Sequence, residues 1–184
     1  SVTVLPGETK TCEITNDDQQ AKIVLVKHLP NDSGGTATTS DFPVTLNDQP
    51  AVWGDNTVNA GTYTAAETTK DGYTASVWSN SCAANGSVTV LPGETKTCEI
   101  TNDDVQPKLT VTKVVINGTY GSKVVSDFPL FVDSTSVKSG EQNSFNAGEY
   151  TVSETSQDGY ASVISGDCNS ENGEVTLDVG DVKA

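Results

Sequence analysis

Lysine, glutamate and asparagine, which can react with one another when dry, recur on the inward faces of strand-like runs in this 184-residue chain. Side chains along a strand alternate between two faces. In 109–113, Leu109, Val111 and Lys113 share a face, with Thr110 and Thr112 opposite. In 150–154, Tyr150, Val152 and Glu154 share one, against Thr151 and Ser153. In 98–102, Cys98, Ile100 and Asn102 share one, against Glu99 and Thr101. The apolar members must face a core, so the polar member of each set is expected to face it as well. Ile23, Leu25 and Lys27 repeat the pattern, as do Tyr63, Ala65 and Glu67, although Val24 and Val26 make the outer face of the first run apolar too.

A buried ion pair carries a desolvation penalty, and burial disfavours both charged forms. A neutral lysine amine can attack the carboxamide carbon of asparagine. A neutral carboxylic acid beside them polarises the carbonyl and carries protons to the departing ammonia. The product is a Lys–Asn amide without free charge, and enforced proximity can supply roughly 7–11 kcal/mol of the barrier. The same residues admit a plainer reading. Lys27 and Lys113 would snorkel from strand ends, Glu67 and Glu154 would sit at a sheet margin, and Asn102 would open the NDD turn.

The elements that must position these residues are laid out by a repeat. Residues 1–18, SVTVLPGETKTCEITNDD, recur unchanged at 87–104. IVLVK (23–27) answers LTVTK (109–113), SDFPV (40–44) answers SDFPL (126–130), and NAGTYTAAET (59–68) answers NAGEYTVSET (146–155). The spacing predicts a final strand of a preceding repeat, or a donor strand, in 1–18, a first β-sandwich in 19–104, and a second in 105–184 that lacks its last strand. Ser1 opens inside a strand-like pattern, which reads as a mature or excised segment. Strands are expected at 21–28, 41–46, 61–67, 73–79, 87–91 and 95–102, separated by Gly, Asn, Asp and Pro turns. The linkers DDQQ (17–20) and DDVQP (103–107) are short enough to predict a stiff rod.

The four cysteines follow the repeat: Cys12, Cys82, Cys98 and Cys168 are separated by 70, 16 and 70 positions. A Cys82–Cys98 bridge would close a 17-residue loop and contribute about 3 kcal/mol. Cys168 is expected to pair with a cysteine just beyond Ala184, and Cys12 with a residue upstream of Ser1 or with Cys168 of another copy. No CxxC or Cys/His cluster suggests a metal site, and no cofactor is expected. Disulfides point to an oxidising, extracellular setting.

Composition narrows the remaining classes. Asp and Glu number 25 against ten lysines and no arginine, a formal net charge of −15, which argues against nucleic-acid and anionic-lipid partners. The only histidine, His28, lies in an apolar run, and no phosphate-binding, zincin or hydrolase motif occurs. An enzyme is not expected, beyond autocatalytic amide formation. The Asn/Asp clusters at 16–18 and 102–104 would serve calcium or, more simply, solvated turns. Asn31, Asn85 and Asn117 open N-x-[ST] sequons.

The order of a lysine on the first strand, a GxYxxxE segment in the middle and an asparagine on the last strand resembles the B-type domains of Gram-positive collagen adhesins and the SpaA-type pilin domains. AGTYTAAETTKDGY (60–73) and AGEYTVSETSQDGY (147–160) look like the glutamate segment of that family. The resemblance spans the chain twice and implies an all-β architecture of two tandem prealbumin-like (Ig-like, Greek-key) sandwiches, each with an intramolecular isopeptide bond. Carried over, Lys27 is the amine, Glu67 the promoter and Asn102 the acceptor; Lys113 and Glu154 match in the second unit, where the acceptor falls beyond Ala184. The expected function is that of a structural repeat in an extracellular stalk, pilus or filament at the cell surface. Its partner would be itself, either through neighbouring repeats of one polypeptide or head to tail, with Asn16 and Cys12 reaching Lys113 and Cys168 of a neighbour. The alternative is an adhesin repeat, for which Trp53 and Trp78, confined to the first unit, are the hint.

Overall fold

The computed structural model describes residues 1–184 and places two β units in series. The first contains β1 (Ala21–His28), β2 (Val44–Leu46), β3 (Gln49–Ala51), β4 (Gly54–Val58), β5 (Gly61–Glu67), β6 (Tyr73–Ala75), β7 (Ser79–Asn80), β8 (Ser87–Val90) and β9 (Thr95–Asp104). One sheet runs β4-β1-β9-β6, with β7 also on β9, and the other runs β3-β2-β5-β8. Alternation does what the sequence requires: Ile23 and Leu25 from β1, Val44 and Leu46 from β2, Ala65 from β5, Val88 and Val90 from β8, and Cys98 and Ile100 from β9 fill one core between the sheets.

Two expected strands are shorter in the fold. Within 41–46 the chain first makes a 3-10 turn, Thr39–Asp41, capped by Asp41 accepting from the Thr38 N–H at 2.8 Å, and only then enters β2. Within 73–79 the ladder breaks between β6 and β7, where Trp78 turns into the core. β3 and β4 are additional. Pro50 and the polar run Gly54-Asp55-Asn56-Thr57 hide them from any apolar alternation. Asn47 and Asp48, both at positive φ, make the tight turn that pairs β2 with β3, a geometry that Asn and Asp tolerate.

The second unit contains β10 (Lys108–Thr110), β11 (Leu130–Val132), β12 (Thr135–Val137), β13 (Gln142–Ser144), β14 (Gly148–Glu154), β15 (Glu174–Leu177) and β16 (Val182–Lys183). Its sheets run β13-β10-β16 and β12-β11-β14-β15. The core is smaller, with 7 buried residues against 12, because nothing stands where Cys98 and Ile100 stand in the first unit. The same absence shortens β10. β1 is held along seven positions by its parallel neighbour β9, from Lys22↔Thr95 to His28↔Thr101, whereas β10 meets β16 only at Lys108↔Val182 and Leu109↔Lys183.

Residues 1–20 form no strand and are exposed throughout, since no strand in the chain lies alongside them. Between the units β9 runs on to Asp104, so the connection is only Val105-Gln106-Pro107, with Pro107 buried. The units touch through backbone: Gly180 N–H donates to Val105 O at 2.7 Å, Val105 N–H to Gly72 O at 2.9 Å, and Ala147 N–H to Ser33 O at 2.8 Å. Val105 is thus bonded to both units, and Ala147–Ser33 joins them directly across the three-residue connection.

Candidate functional site

Three strands from both sheets bring Lys27, Glu67 and Asn102 together. Lys27 stands near the end of β1, Glu67 ends β5, and Asn102 lies inward on β9, where its backbone pairs with Ala75 of β6. The Lys27 ammonium nitrogen donates to Glu67 Oε2 and, at 2.5 Å, to Asn102 Oδ1. The side chains of Lys27 and Glu67 are 1% and 4% exposed, and Asn102 is 1% exposed. This rules out snorkelling and the open turn as descriptions of these residues.

Aromatic rings close the site. Lys27 Nζ sits 4.1 Å from the Phe42 ring centroid and 5.1 Å from that of Trp53. Phe42 is itself held edge-on by Tyr73, and Trp53 stacks on buried Trp78 while its indole N–H donates to Phe42 O at 2.8 Å. Sequence reasoning did not assign these rings to the site. The signal was present in the SDFP segment, which recurs in both units and delivers Phe42 and Phe128. The tryptophans are taken up by the enclosure and the core, so the hint of a ligand face is withdrawn.

The enclosure sets the protonation chemistry. Burial pulls Lys27 below the ordinary lysine range, opposed by its hydrogen bond to Glu67 and by the Glu67 charge. Glu67 Oε1 is buried without a hydrogen-bond partner, which leaves it free to receive and deliver protons. Asn102 Cγ lies one carbonyl bond beyond Oδ1, hence within about 3.7 Å of the amine, close to a reactive approach.

A pH prediction follows for Asn102→Ala, which keeps the lysine but removes the acceptor. The folded state releases the Lys27 proton at lower pH than the unfolded chain, whose lysine titrates near about 10.4. Between those two values the unfolded state binds more protons, so stability rises with pH across that window. Urea unfolding of Asn102→Ala is expected to show that rise. A flat profile there would mean that Lys27 is not desolvated.

The second unit holds a looser copy. Lys113 Nζ lies 2.6 Å from Glu154 Oε2 and 4.5 Å from the Phe128 ring, but both side chains are 16% exposed. No asparagine meets them, and the turn between β12 and β13 (138–141, KSGE) has no aromatic to correspond to Trp53. Asn16, the acceptor expected from the preceding strand, is exposed and touches neither.

Cys82 and Cys98 form a disulfide with Cα atoms 5.0 Å apart, at the place the spacing predicts. Cys12 is free and exposed, and Cys168 is free and half-buried, with burial and then the Asp167 charge raising its thiol pKa. His28 is exposed beside Glu99, with Nε2 and Oε2 3.5 Å apart. The acidic cluster at 102–104 divides: Asn102 turns inward to the lysine, while Asp103 and Asp104 approach Asp32, with oxygens within 4.8 Å. Asp104 is occupied by backbone donors, accepting from Ser33 N–H at 3.0 Å and Gly35 N–H at 2.6 Å.

Two sequon asparagines are engaged in the fold. Asn31 Nδ2 donates to Ala37 O at 3.0 Å and its Oδ1 accepts from Tyr73 OH at 2.8 Å. Asn117 repeats the arrangement with Lys123 O at 2.9 Å and Tyr160 OH at 2.6 Å. Asn85 caps a turn by accepting from Ser87 N–H at 3.1 Å.

The two units define a class by fold, a tandem pair of all-β sandwich domains. The profile of the SpaA-type prealbumin-like fold domain matches residues 18–100 and again 104–183, and the chain belongs to that family as a tandem pair. No curated protein and no solved structure matches the chain. No helix is long and apolar enough to cross a membrane.

Proposed function

We propose that the chain is a structural repeat of an extracellular stalk, pilus or filament, stiffened by the Cys82–Cys98 disulfide and by a Lys27–Asn102 amide whose formation Glu67 promotes. The observation that carries this reading is the contact of one buried amine with both a carboxylate and a carboxamide inside a dry aromatic enclosure. The neutral amine attacks Asn102 Cγ while the protonated Glu67 stabilises the developing oxyanion. One amine proton passes through the carboxyl group to the carboxamide nitrogen, the C–N bond breaks, and ammonia leaves. The amide so formed removes the buried charge.

The disulfide supports the extracellular setting. Bonds across the joint support a load-bearing role over that of an adhesin, since the exposed aromatic face an adhesin would offer is absent from the first unit. The test is the intact mass of the purified protein. The expected value is the sequence mass, corrected for the disulfide, less one ammonia. A Glu67→Ala protein is expected at full mass. A wild-type chain at full mass would overturn the crosslink.

A further inference from the structure

Tyr73 stands where the two reacting sides of the first unit meet. Its ring packs edge-on against Phe42, with centroids 5.4 Å apart, and the Phe42 ring lies 4.1 Å from Lys27 Nζ. Its backbone opens β6, which pairs Tyr73 with Asp104 and Ala75 with Asn102. One residue therefore touches both the wall over the amine and the strand that carries the carboxamide.

A phenylalanine would pack against Phe42 equally well, so the hydroxyl needs its own reason. It is held in a closed ring of three hydrogen bonds. The Ala37 N–H donates to it at 3.0 Å, it donates to Asn31 Oδ1 at 2.8 Å, and Asn31 Nδ2 donates to Ala37 O at 3.0 Å. Gly35 leaves the space, since a Cβ there would collide with the hydroxyl oxygen. The second unit repeats the whole arrangement. Tyr160 OH donates to Asn117 Oδ1 at 2.6 Å and accepts from the Lys123 N–H at 3.2 Å, Asn117 Nδ2 donates to Lys123 O at 2.9 Å, and a Cβ on Gly121 would stand 2.8 Å from the hydroxyl. Tyr160 packs edge-on against Phe128 at 5.3 Å, and Phe128 lies 4.5 Å from Lys113 Nζ. The loops that supply these groups, NDSGGTA (31–37) and NGTYGSK (117–123), share only the asparagine and the fifth-position glycine. Loops that differ everywhere else keep the two residues that fix the tyrosine, and the tyrosine leads through a phenylalanine to the lysine.

We infer that Tyr73 is a positioning residue for the Lys27–Asn102 amide, with Asn31 as its anchor: the tied hydroxyl fixes the Tyr73 ring, the ring holds Phe42 over the amine, and the amine stays dry and aimed at Asn102. The inference rests on the amide proposed above. A ring free to swing would let Phe42 withdraw and water reach Lys27. Water favours the charged ammonium, and only the neutral amine attacks. Glu67 of β5 is the charged group that faces Lys27. β9 presents Asn102, Phe42 and Trp53 present rings, and His28 and Glu99 pair on the opposite face of the sheet. The titration of Lys27 therefore reports how dry this wall is.

The test uses the full chain in two backgrounds. In the reactive background, chains pulse-labelled by cell-free synthesis in an oxidising extract are chased at neutral pH, quenched in denaturant and read by intact mass for the loss of one ammonia. Tyr73→Phe, which keeps the ring, and Asn31→Ala, at an exposed side chain, are each expected to slow that loss about tenfold, as a rise of one unit in the lysine pKa would. The double variant is expected to be no slower than the slower single, because both changes cut one tie. In the Asn102→Ala background, where no amide forms, the Lys27 side-chain nitrogen is titrated by NMR. Adding Tyr73→Phe or Asn31→Ala is expected to raise its pKa toward the ordinary lysine value. Urea unfolding of the same proteins separates positioning from mere support. A tyrosine that only ties down the 31–37 loop would lower the midpoint and leave both the rate and the titration unchanged, and that result would overturn the inference. A wild-type chain at full mass would overturn the amide reading instead, and the titration in the Asn102→Ala background then decides by itself whether Tyr73 holds the wall over Lys27.

Discussion

Glu67→Ala is expected to lower the stability of the first unit more than any other change at the triad. A Lys27–Asn102 amide encloses 76 residues of chain (102 − 27 + 1), and the chain-entropy relation for a crosslink of that span gives about 4–5 kcal/mol. The substitution abolishes the bond and also deprives buried Lys27 of its counter-charge, a loss of about 3–5 kcal/mol for a broken buried pair. The two losses overlap, since burial already lowers the lysine pKa and neutralisation relieves part of the second. The order of stability is therefore wild type, then Asn102→Ala, which keeps the ion pair, then Glu67→Ala. At about 1–3 kcal/mol per molar urea, losing the amide alone moves the midpoint by roughly 2 M. Equal midpoints for wild type and Asn102→Ala would show that no crosslink contributes.

The inward placement of the triad was legible in the sequence because period-two alternation has only two outcomes. Once Ile23, Leu25, Cys98 and Ile100 are inside, Lys27 and Asn102 have to follow. The repeat pointed to the disulfide partner in the same way, through its spacing. What escaped was decided by neighbours remote in sequence. VLVKH and TVTKV read alike, yet only the first is a strand along its length, because β9 lies beside it and no counterpart of 98–101 lies beside 111–115. Trp78 looked like part of a strand and instead breaks one, since the ring finds room between the sheets over Trp53. Asp104 reads in the sequence as part of a turn or an ion site, whereas in the fold it holds the 33–35 loop.

Asp104→Ala is expected to loosen the joint between the units. This carboxylate is 5% exposed at the end of β9 and accepts hydrogen bonds from the N–H groups of Ser33 and Gly35. It thereby fixes the 33–35 loop against the second unit. Ser33 O receives the Ala147 N–H, and Gly34, at φ 90°, lies so near that a Cβ there would stand 2.9 Å from Ala147 backbone. Removing the carboxylate leaves two backbone donors without their acceptor, at about 1–3 kcal/mol each when water cannot replace it. Asp104→Asn retains one acceptor oxygen and is expected to lose about half as much. The measurement is amide hydrogen exchange, in which Ser33, Gly35 and Ala147 should lose protection together while Ile100 in the core keeps its own. Gly72→Val tests the joint from its other side. Gly72 has φ 79°, and a Cβ there would stand 2.5 Å from Val179 O, so the side chain separates the units without touching the triad. It is expected to broaden the range of inter-unit angles seen by small-angle scattering while the mass still records the amide. Unchanged exchange at Ala147 in Asp104→Ala would show that the rod takes its stiffness from the Val105–Pro107 connection alone.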